Sequence, residues 1–345
     1  MKASKLLEFK LKGERNISSR KPLIIGERIY VPFIFDKKGF VASKMVCLNK
    51  NDFEVKWEYD YPFVINNILE STNGNVLICC MDGKLNELKS QNGELVSTLE
   101  LEMDRCGHSS AISDNRIVIG GVQGTKKMNC LDLDSQSIKW SFDNGGHSYI
   151  PLISNEKVYQ CTEKLIRCLE LNTGKLIWEA TEENTYIFNP ISFNELIVVG
   201  GHGLINIYDS NKGKLLHQIE TGIRESIRAI ISDNNNLYFG DSSGVFYAYE
   251  INEKKNLLGK RSIQSKELWR FESNGSIESL PKIVGESILF MNDDNKLICL
   301  NMRSGESNWS FNTKGEAGIS SIITDEENIF LSVGKGYLYK LKEEN

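Results

Sequence analysis

The sequence predicts an all-β protein, an eight-bladed β-propeller built from four-stranded antiparallel blades. A sequence motif recurs with a period of about 40 residues, and each period holds several short alternating runs separated by Gly, Asn or Asp turns. No stretch has the apolar periodicity of a long amphipathic helix. The 345 residues therefore fit one large repeat domain.

The motif is a small residue, a leucine, a polar turn and a tryptophan. Three copies read "KMVCLNKNDFEVKW", "KMNCLDLDSQSIKW" and "KLICLNMRSGESNW", with Cys-Leu at the same distance before the tryptophan, and "CLELNTGKLIW" is a fourth. Leu7, Ser97 and His217 occupy the tryptophan position in weaker copies, and Trp269 follows an insertion in the turn. The resulting anchors are Leu7, Trp57, Ser97, Trp140, Trp178, His217, Trp269 and Trp309.

Each period predicts four strands in a fixed order. In the unit before Trp178, "IPLISN" is the inner strand, "KVYQCT" the second, "LIRCLEL" the third and "LIWEA" the outer strand, with "NTG" as the turn of the last hairpin. The tryptophan begins the outer strand, where a large flat side chain can fill the wedge between neighbouring blades and contribute about 2 to 3 kcal/mol. We assign this docking role to Trp57, Trp140, Trp178, Trp269 and Trp309.

The chain ends predict a closed ring. The C-terminal "YLYKLKEEN" is a third strand without a successor, and the N-terminal "KLLEFKL" is an outer strand without predecessors, so the two complete one blade. The expected single domain, 1–345, has residues 1–12 as that outer strand and blades at 13–60, 61–100, 101–143, 144–181, 182–220, 221–272, 273–312 and 313–345.

The repeat resembles that of pyrroloquinoline-quinone-type propellers. Residues 168–178, Cys-Leu-Glu-Leu-Asn-Thr-Gly-Lys-Leu-Ile-Trp, carry the closest copy, and the resemblance extends over essentially the whole chain. It implies an eight-bladed propeller of the kind shared by quinoprotein alcohol dehydrogenases and BamB-type outer-membrane assembly lipoproteins. Because this architecture hosts enzymes and inert scaffolds alike, the resemblance specifies the fold more sharply than the function.

The net charge, the apolar segments and the cysteine content of the chain indicate which partners and which compartment to expect. A net charge of -5 gives no basic field for phosphate binding, so we expect no nucleic-acid partner. The N-terminus lacks the apolar run of an export signal, and no segment is apolar over the length needed to span a membrane. We therefore expect a cytoplasmic protein that does not bind membranes. We also expect the protein to be monomeric when no partner is bound. The eight cysteines should then be reduced thiols.

The positions of the cysteines in the sequence indicate a role in core packing and not in catalysis or metal binding. Cys47, Cys130, Cys168 and Cys299 share the repeat position below the docking tryptophan, where a small apolar side chain is needed. The adjacent pair Cys79 and Cys80 is similar to the vicinal cysteines of quinoproteins, but a predicted strand points the two side chains to opposite faces. Cys106 and Cys161 have no metal-like spacing. We therefore expect no catalytic residue, cofactor or metal.

The crossovers between blades should converge on one rim. The crossovers carry several aromatic and arginine side chains, and such side chains are enriched in protein-binding surfaces. The alternative interpretation of the rim is a ring of solvated loops without a ligand, which every propeller has. The candidate rim residues are Arg15, Arg20, His108, His147, Tyr149, Tyr186, Phe188, Arg224, Arg228, Glu278 and Glu316. His202 and His217 are assigned structural roles.

Two insertions interrupt the repeat. Residues 250–267 carry five basic residues and two leucines, which is typical of a solvated loop or of a docking arm for an acidic partner. Residues 31–44 are more apolar than a loop should be, so Val31, Phe33 and Phe35 are expected to extend a hairpin and Phe40 to contact a partner.

The leading functional hypothesis is a non-catalytic protein-protein interaction scaffold acting within a multiprotein bacterial assembly. It follows from the lack of a nucleophile-base pair, a carboxylate constellation or metal-ligand spacing in the sequence. One alternative is a small-ligand sensor or quinoprotein-like enzyme that uses the channel mouth, with Arg224 or Arg228 beside the ligand. The other is outer-membrane assembly in the BamB manner.

Overall fold

A computed structural model describes residues 2–103, 105–121, 125–143, 145–146, 148–181, 187–222, 225–255 and 261–344, with backbone alone at 107–109, 187, 255 and 317–321. The chain forms eight antiparallel sheets arranged as the blades of a propeller. The predicted fold class is confirmed.

The first four blades follow the short N-terminal strand β1 (Lys2–Lys10) and are built in chain order. Their strands are β2 (Arg15–Ser19), β3 (Leu23–Ile25), β4 (Arg28–Lys37), β5 (Phe40–Asn49) and β6 (Val55–Tyr61) in blade 1; β7 (Ile65–Glu70), β8 (Val76–Cys80), β9 (Lys84–Leu88) and β10 (Leu95–Glu100) in blade 2; β11 (Cys106–Ser113), β12 (Arg116–Gly121), β13 (Lys127–Asp132) and β14 (Ser137–Asp143) in blade 3; and β15 (Leu152–Ser154), β16 (Lys157–Cys161), β17 (Leu165–Glu170) and β18 (Leu176–Thr181) in blade 4.

The last four blades repeat this order. Their strands are β19 (Ile187–Phe193), β20 (Leu196–Gly201), β21 (Leu204–Asp209) and β22 (Leu215–Glu220) in blade 5; β23 (Ala229–Asp233), β24 (Asn236–Gly240), β25 (Val245–Lys255) and β26 (Arg261–Glu272) in blade 6; β27 (Lys282–Val284), β28 (Ser287–Asn292), β29 (Lys296–Asn301) and β30 (Ser307–Asn312) in blade 7; and β31 (Ala317–Thr324), β32 (Ile329–Val333) and β33 (Tyr337–Glu344) in blade 8, with a 3-10 turn at Gly334–Gly336.

Strand β1 completes blade 8. It pairs antiparallel with β33 over its whole length, and Leu7 lies opposite Lys340 at the position that each tryptophan takes in its own blade. The first and last strands of the chain therefore close the ring, as the sequence predicts. Closure places each blade between two neighbouring blades.

The apolar core is divided among the seams between blades. The buried hydrophobic residues of the described chain fall into eight clusters, and each cluster combines side chains of two neighbouring blades. The stability of the ring is consequently distributed over blade-to-blade contacts.

A tryptophan-glycine contact, here called the seam lock, joins four pairs of blades. The indole of Trp178 in blade 4 stacks on Gly213 in the last hairpin turn of blade 5 and donates a hydrogen bond of 3.0 Å to the carbonyl of Ser210. A Cβ at Gly213 would lie 2.4 Å from the indole, and its φ of 65° also favours glycine. The other locks are Trp57 with Gly93, Trp140 with Gly174, and Trp269 with Gly305.

The seventh seam uses a different acceptor. Blade 8 has chain termini in place of the last hairpin turn, and Trp309 donates instead to the carboxylate of Glu343, at 3.0 Å. The docking role of the five tryptophans thus has a common geometry: a partly or fully buried indole whose N–H reaches the next blade.

The turn chemistry explains the spacing of the motif. Four glycines that lie four residues before the tryptophan position of their own blade receive the indole of the preceding blade: Gly93, Gly174, Gly213 and Gly305. Each tryptophan of these locks reaches forward to the last hairpin turn of the next blade. In the last hairpins of blades 1 to 7, and in the β1–β33 pair of blade 8, the residue just before the tryptophan position lies in a bulge of the ladder. This bulge increases the local twist and turns the following side chain toward the neighbouring blade.

Both insertions form hairpins. In blade 1, β4 and β5 extend together, with Val31, Phe33 and Phe35 buried and Phe40 75% exposed at the tip. In blade 6, the insertion interpreted as a long loop instead lengthens β25 and β26. That prediction was wrong because alternating side chains continue the ladder, and Arg261 anchors the extension to blade 5.

The anchor of the blade 6 extension is an ion-pair network. The side chain of Arg261 is 10% exposed and contacts the carboxylates of Glu253, Asp209 and Glu195. Nearby, His217 of blade 5 hydrogen-bonds to Ser265 at 2.8 Å, so its structural role is visible in the contact between the blades.

We expect Trp178→Ala to lower the free energy of unfolding by about 3 to 5 kcal/mol, because it empties the wedge and removes one hydrogen bond. Ile177→Ala, one residue away and 45% exposed, is the matched control and should change it by less than about 0.5 kcal/mol. Denaturant unfolding of the two variants measures the difference. Equal effects would contradict the seam lock.

Deleting residues 1–12 should lower the melting temperature by about 5 °C or more, since β33 loses its partner and the ring opens. Thermal unfolding followed by circular dichroism tests this, with Lys2→Ala as a control because that side chain is 78% exposed. An unchanged melting temperature in the deletion would mean that β1 does not close the ring.

Candidate functional site: the crossover face

One face of the ring gathers the segments that connect blades. Because neighbouring strands are antiparallel, the crossovers between blades and the turns between second and third strands lie on the same side, here named the crossover face. Among the predicted rim residues, His147, Tyr186 and Arg224 lie outside the described residues, and His108 is described by its backbone in β11 alone. The remaining seven fall into two groups and one isolated position.

The first group, here named the rim cluster, comprises Tyr149, Phe188, His202, Arg228 and Glu278. Phe188 is its base: it is 4% exposed and makes edge-on contacts with Tyr149 at 5.6 Å and with His202 at 5.5 Å between ring centroids. These side chains come from blades 4 and 5, so the base of the cluster crosses a seam.

Arg228 of blade 6 lies on this aromatic base. Its guanidinium carbon is 4.8 Å from the ring centroid of Phe188, and its Nη1 is 4.0 Å from a carboxylate oxygen of Glu278 in blade 7. Both charged side chains remain about half exposed. Each contact contributes at most about 1 kcal/mol at such a surface, and both favour a position of Arg228 over the aromatic base.

A hydrogen-bond network supports the cluster from blade 6. His202 forms an isolated β-bridge with Ser226, whose hydroxyl is 3.2 Å from Nδ1 of the imidazole. The Ser226 N–H donates to Ser242, which in turn donates to Glu225. Sequence reasoning missed His202 as a member of the cluster because it lies in the turn between the second and third strands of blade 5, and only crossover residues were assigned to the rim.

The second group lies where the ring closes. Arg20 and Glu316 line a cavity of about 1000 Å³ together with Lys10, Lys12, Glu14 and Lys335. Burial lowers the pKa of Arg20, and its Nε has no hydrogen-bond partner among the described residues.

Arg15 stands apart, exposed in β2 opposite Asp36. The rim residues whose side chains are described therefore form two sites of different character and one separate position.

Exposed apolar side chains add to the crossover face near blade 1. Phe40 and Val41 lie at the tip of the β4–β5 hairpin, and Phe63 lies in the crossover to blade 2, with 75%, 48% and 48% of their surfaces exposed. Phe63 contacts Tyr61 at 6.2 Å between ring centroids. Exposed aromatic groups on one face are typical of protein-binding surfaces.

The cysteines are free and buried. Cys79 and Cys80 are neighbours in β8, but they belong to the core clusters of opposite seams, as alternating strand geometry predicts. Desolvation raises the pKa of Cys79 to about 11 and also raises that of Cys80. Among the described residues no group of three or more His, Cys, Asp or Glu side chains could hold a metal ion.

The four cysteines of the repeat lie directly opposite tryptophans. Cys47, Cys130, Cys168 and Cys299 pair across the last hairpin with Trp57, Trp140, Trp178 and Trp309, respectively. Burial raises the pKa of each of these thiols to about 11. Such protonated, enclosed thiols pack as small apolar groups.

No described helix of the chain is both long and apolar enough to cross a membrane.

Sequence comparison identifies a family over the full chain. The family described as outer membrane protein assembly factor BamB matches residues 4–178 and, in an overlapping second match, residues 126–345. No curated protein matches the sequence.

Several solved structures share the fold at low sequence identity. BamB from Moraxella catarrhalis is 16% identical with a TM-score of 0.70, covering 99% of this chain and 98% of that one. Sqt1 from Chaetomium thermophilum, bound to the N-terminus of ribosomal protein L10, is 13% identical with a TM-score of 0.78, covering 98% and 99%. The computationally designed Ika8 protein is 12% identical with a TM-score of 0.78, covering 97% and 98%.

We expect the native thiols to resist alkylation and disulfide exchange at pH 8, since a thiol with a pKa of about 11 is ionised to about one part in a thousand there. Titration with a chromogenic disulfide should detect all eight thiols after denaturation and essentially none within minutes before it. Rapid native reaction at Cys79 or Cys80 would instead reveal an accessible vicinal pair.

Proposed function

The chain belongs to the family described as outer membrane protein assembly factor BamB, and from that premise we propose that it is a non-catalytic scaffold that binds a protein partner through its crossover face. The partner is a component of a multiprotein assembly.

The observation that carries this proposal is the rim cluster. An arginine held on a buried aromatic base, beside a carboxylate and next to further aromatic rings, has the composition of a binding hot spot. Because Arg228 is already positioned by Phe188 and Glu278, less side-chain entropy is lost when a partner binds. Phe40 and Phe63 supply exposed apolar area on the same face.

Two structural relatives support a protein partner. Sqt1 has a ribosomal protein terminus bound to a propeller of the same size, and BamB is by its description an assembly factor. Because both are under 20% identical to this chain, they support the class of partner and leave its identity open.

The role is proposed as non-catalytic and cytoplasmic. The Ser226 hydroxyl lies 3.2 Å from Nδ1 of His202, and the backbones of the two residues also form a β-bridge. We interpret this contact as a structural link between blades 5 and 6. Eight buried free thiols suit a reducing compartment.

We expect the charge reversal Arg228→Glu to weaken partner binding by about thirtyfold or more, because it removes the cation from the aromatic base and repels Glu278. The test is affinity purification of tagged full-length chain from its native cells, followed by quantitative mass spectrometry. Stoichiometric recovery of one protein with the wild type, lost in Arg228→Glu, is the expected result.

Arg303→Glu is the matched control, since Arg303 is a 79% exposed arginine in a turn on the face opposite the rim cluster. It should leave the recovery unchanged. Equal loss in both variants, or no stoichiometric protein with the wild type, would overturn the proposal.

A further inference from the structure

One of the seams that lack the seam lock contains an open cleft. Between blades 2 and 3 the tryptophan position is Ser97, and the glycine position of the next turn is Gln136, whose φ is 49°. The two side chains leave a cleft of about 40 Å³ between the blades. Its lining consists of Ser71, Thr72, Asn73, Leu77, Leu85, Glu87, Ser97, Leu99, Asp132, Leu133 and Gln136.

The other two seams without tryptophan are closed by paired substitutions. His217 reaches Ser265, which stands at the glycine position of blade 6. Leu7 and Phe53, which stands at the glycine position of blade 1, pack in one core cluster. Among the described residues, Ser97 and Gln136 make no such contact across their seam. The small side chain of Ser97 at the tryptophan position therefore leaves an unfilled cleft between the blades.

A carboxylate forms the floor of this cleft. Glu87 occupies the position that holds cysteine or alanine opposite the other tryptophans, and it is 7% exposed. Its Oε1 accepts hydrogen bonds from Asn75 at 2.9 Å and Ser71 at 3.3 Å, and its Oε2 accepts one from Ser97 at 3.4 Å. The seam has therefore exchanged an apolar pair for a hydroxyl and a buried charge.

In the described chain, the Glu87 carboxylate accepts hydrogen bonds from neutral donors. Within the described part of the chain, no Lys, Arg or His side chain lies within ion-pair distance of it, and its hydrogen-bond donors are one amide and two hydroxyls. Asp132, at the edge of the same cleft, is by contrast paired with Arg116. A carboxylate this deeply buried is normally paired with a cation, because desolvation of an unpaired charge is costly.

We propose that this cleft binds a protonated primary amine whose ammonium group pairs with Glu87. Its volume admits about three water-sized groups, which fits an ammonium head with a short methylene stem, such as the end of a lysine side chain. Leu77, Leu99 and Leu133 provide apolar walls for the stem.

The chemistry of the lining selects against other occupants. An anion would meet Glu87 and Asp132, and a ring the size of indole exceeds the available space. The site lies among first-to-second and third-to-outer turns, on the face opposite the rim cluster, so it is independent of the proposed partner surface.

The test is titration of the full chain with n-propylammonium chloride at constant ionic strength, followed through leucine methyl NMR signals. We expect saturable one-to-one binding with a dissociation constant of about millimolar magnitude, and shifts at Leu77, Leu85, Leu99 and Leu133. Glu87→Gln keeps the size of the side chain and removes its charge, and it should bind about tenfold or more weakly.

A second variant fills the seam with the chain's own lock. The triple substitution Glu87→Cys, Ser97→Trp, Gln136→Gly copies the arrangement of Cys168, Trp178 and Gly213, and it should abolish binding while raising the melting temperature. Should this variant fail to fold, Glu87→Gln still decides the question.

Potassium chloride and tetramethylammonium chloride are the cation controls, the first lacking a stem and the second being too bulky. Comparison of n-propylammonium with Nα-acetyl-lysine methylamide separates a free amine from a lysine side chain as the source, and saturable binding of either supports the site. Absence of saturation, equal affinity in Glu87→Gln, or an equal response to potassium would overturn it.

Discussion

The seam lock between a tryptophan of one blade and a glycine of the next is the constraint on which the ring depends. It fixes two things at once, because the indole excludes any side chain at the receiving position and its N–H requires a carbonyl three residues earlier in the same turn. Adjacent blades are thereby set in one register. The core then divides into eight seam clusters, so each blade is stabilised by its neighbours more than by its own faces.

Fixed register is also what makes a surface from separate loops. Tyr149, Phe188, Arg228 and Glu278 are brought together from four consecutive blades, and none of them could be positioned by its own hairpin alone. A site assembled in this way has rigid strands beneath every loop. Its side chains can therefore be held ready for a partner at low entropic cost.

The sequence predicted the parts of the structure that depend on repetition. Four near-identical copies established the strand order, and the same alignment placed Leu7 at the tryptophan position, where it lies opposite Lys340. Contacts between blades were less accessible, because a single sequence does not show which turns meet. Tyr149 of blade 4 contacts Phe188 of blade 5, and Arg261 ties an apparent loop to blade 5.

The exceptions to the repeat become interpretable only when they are considered as pairs across a seam. Taken alone, Ser97 is a degenerate copy and Gln136 an irregular turn residue with positive φ. Paired, Ser97 and Gln136 mark a tryptophan-free seam in which, among the described residues, neither substitution fills the wedge, whereas His217 with Ser265 and Leu7 with Phe53 do so. Decay of a repeat would be expected to retain a small apolar residue beneath the gap, since that choice costs least. Glu87 at that place is a buried carboxylate that accepts hydrogen bonds from three neutral donors, and the ammonium group proposed above would supply its counter-charge.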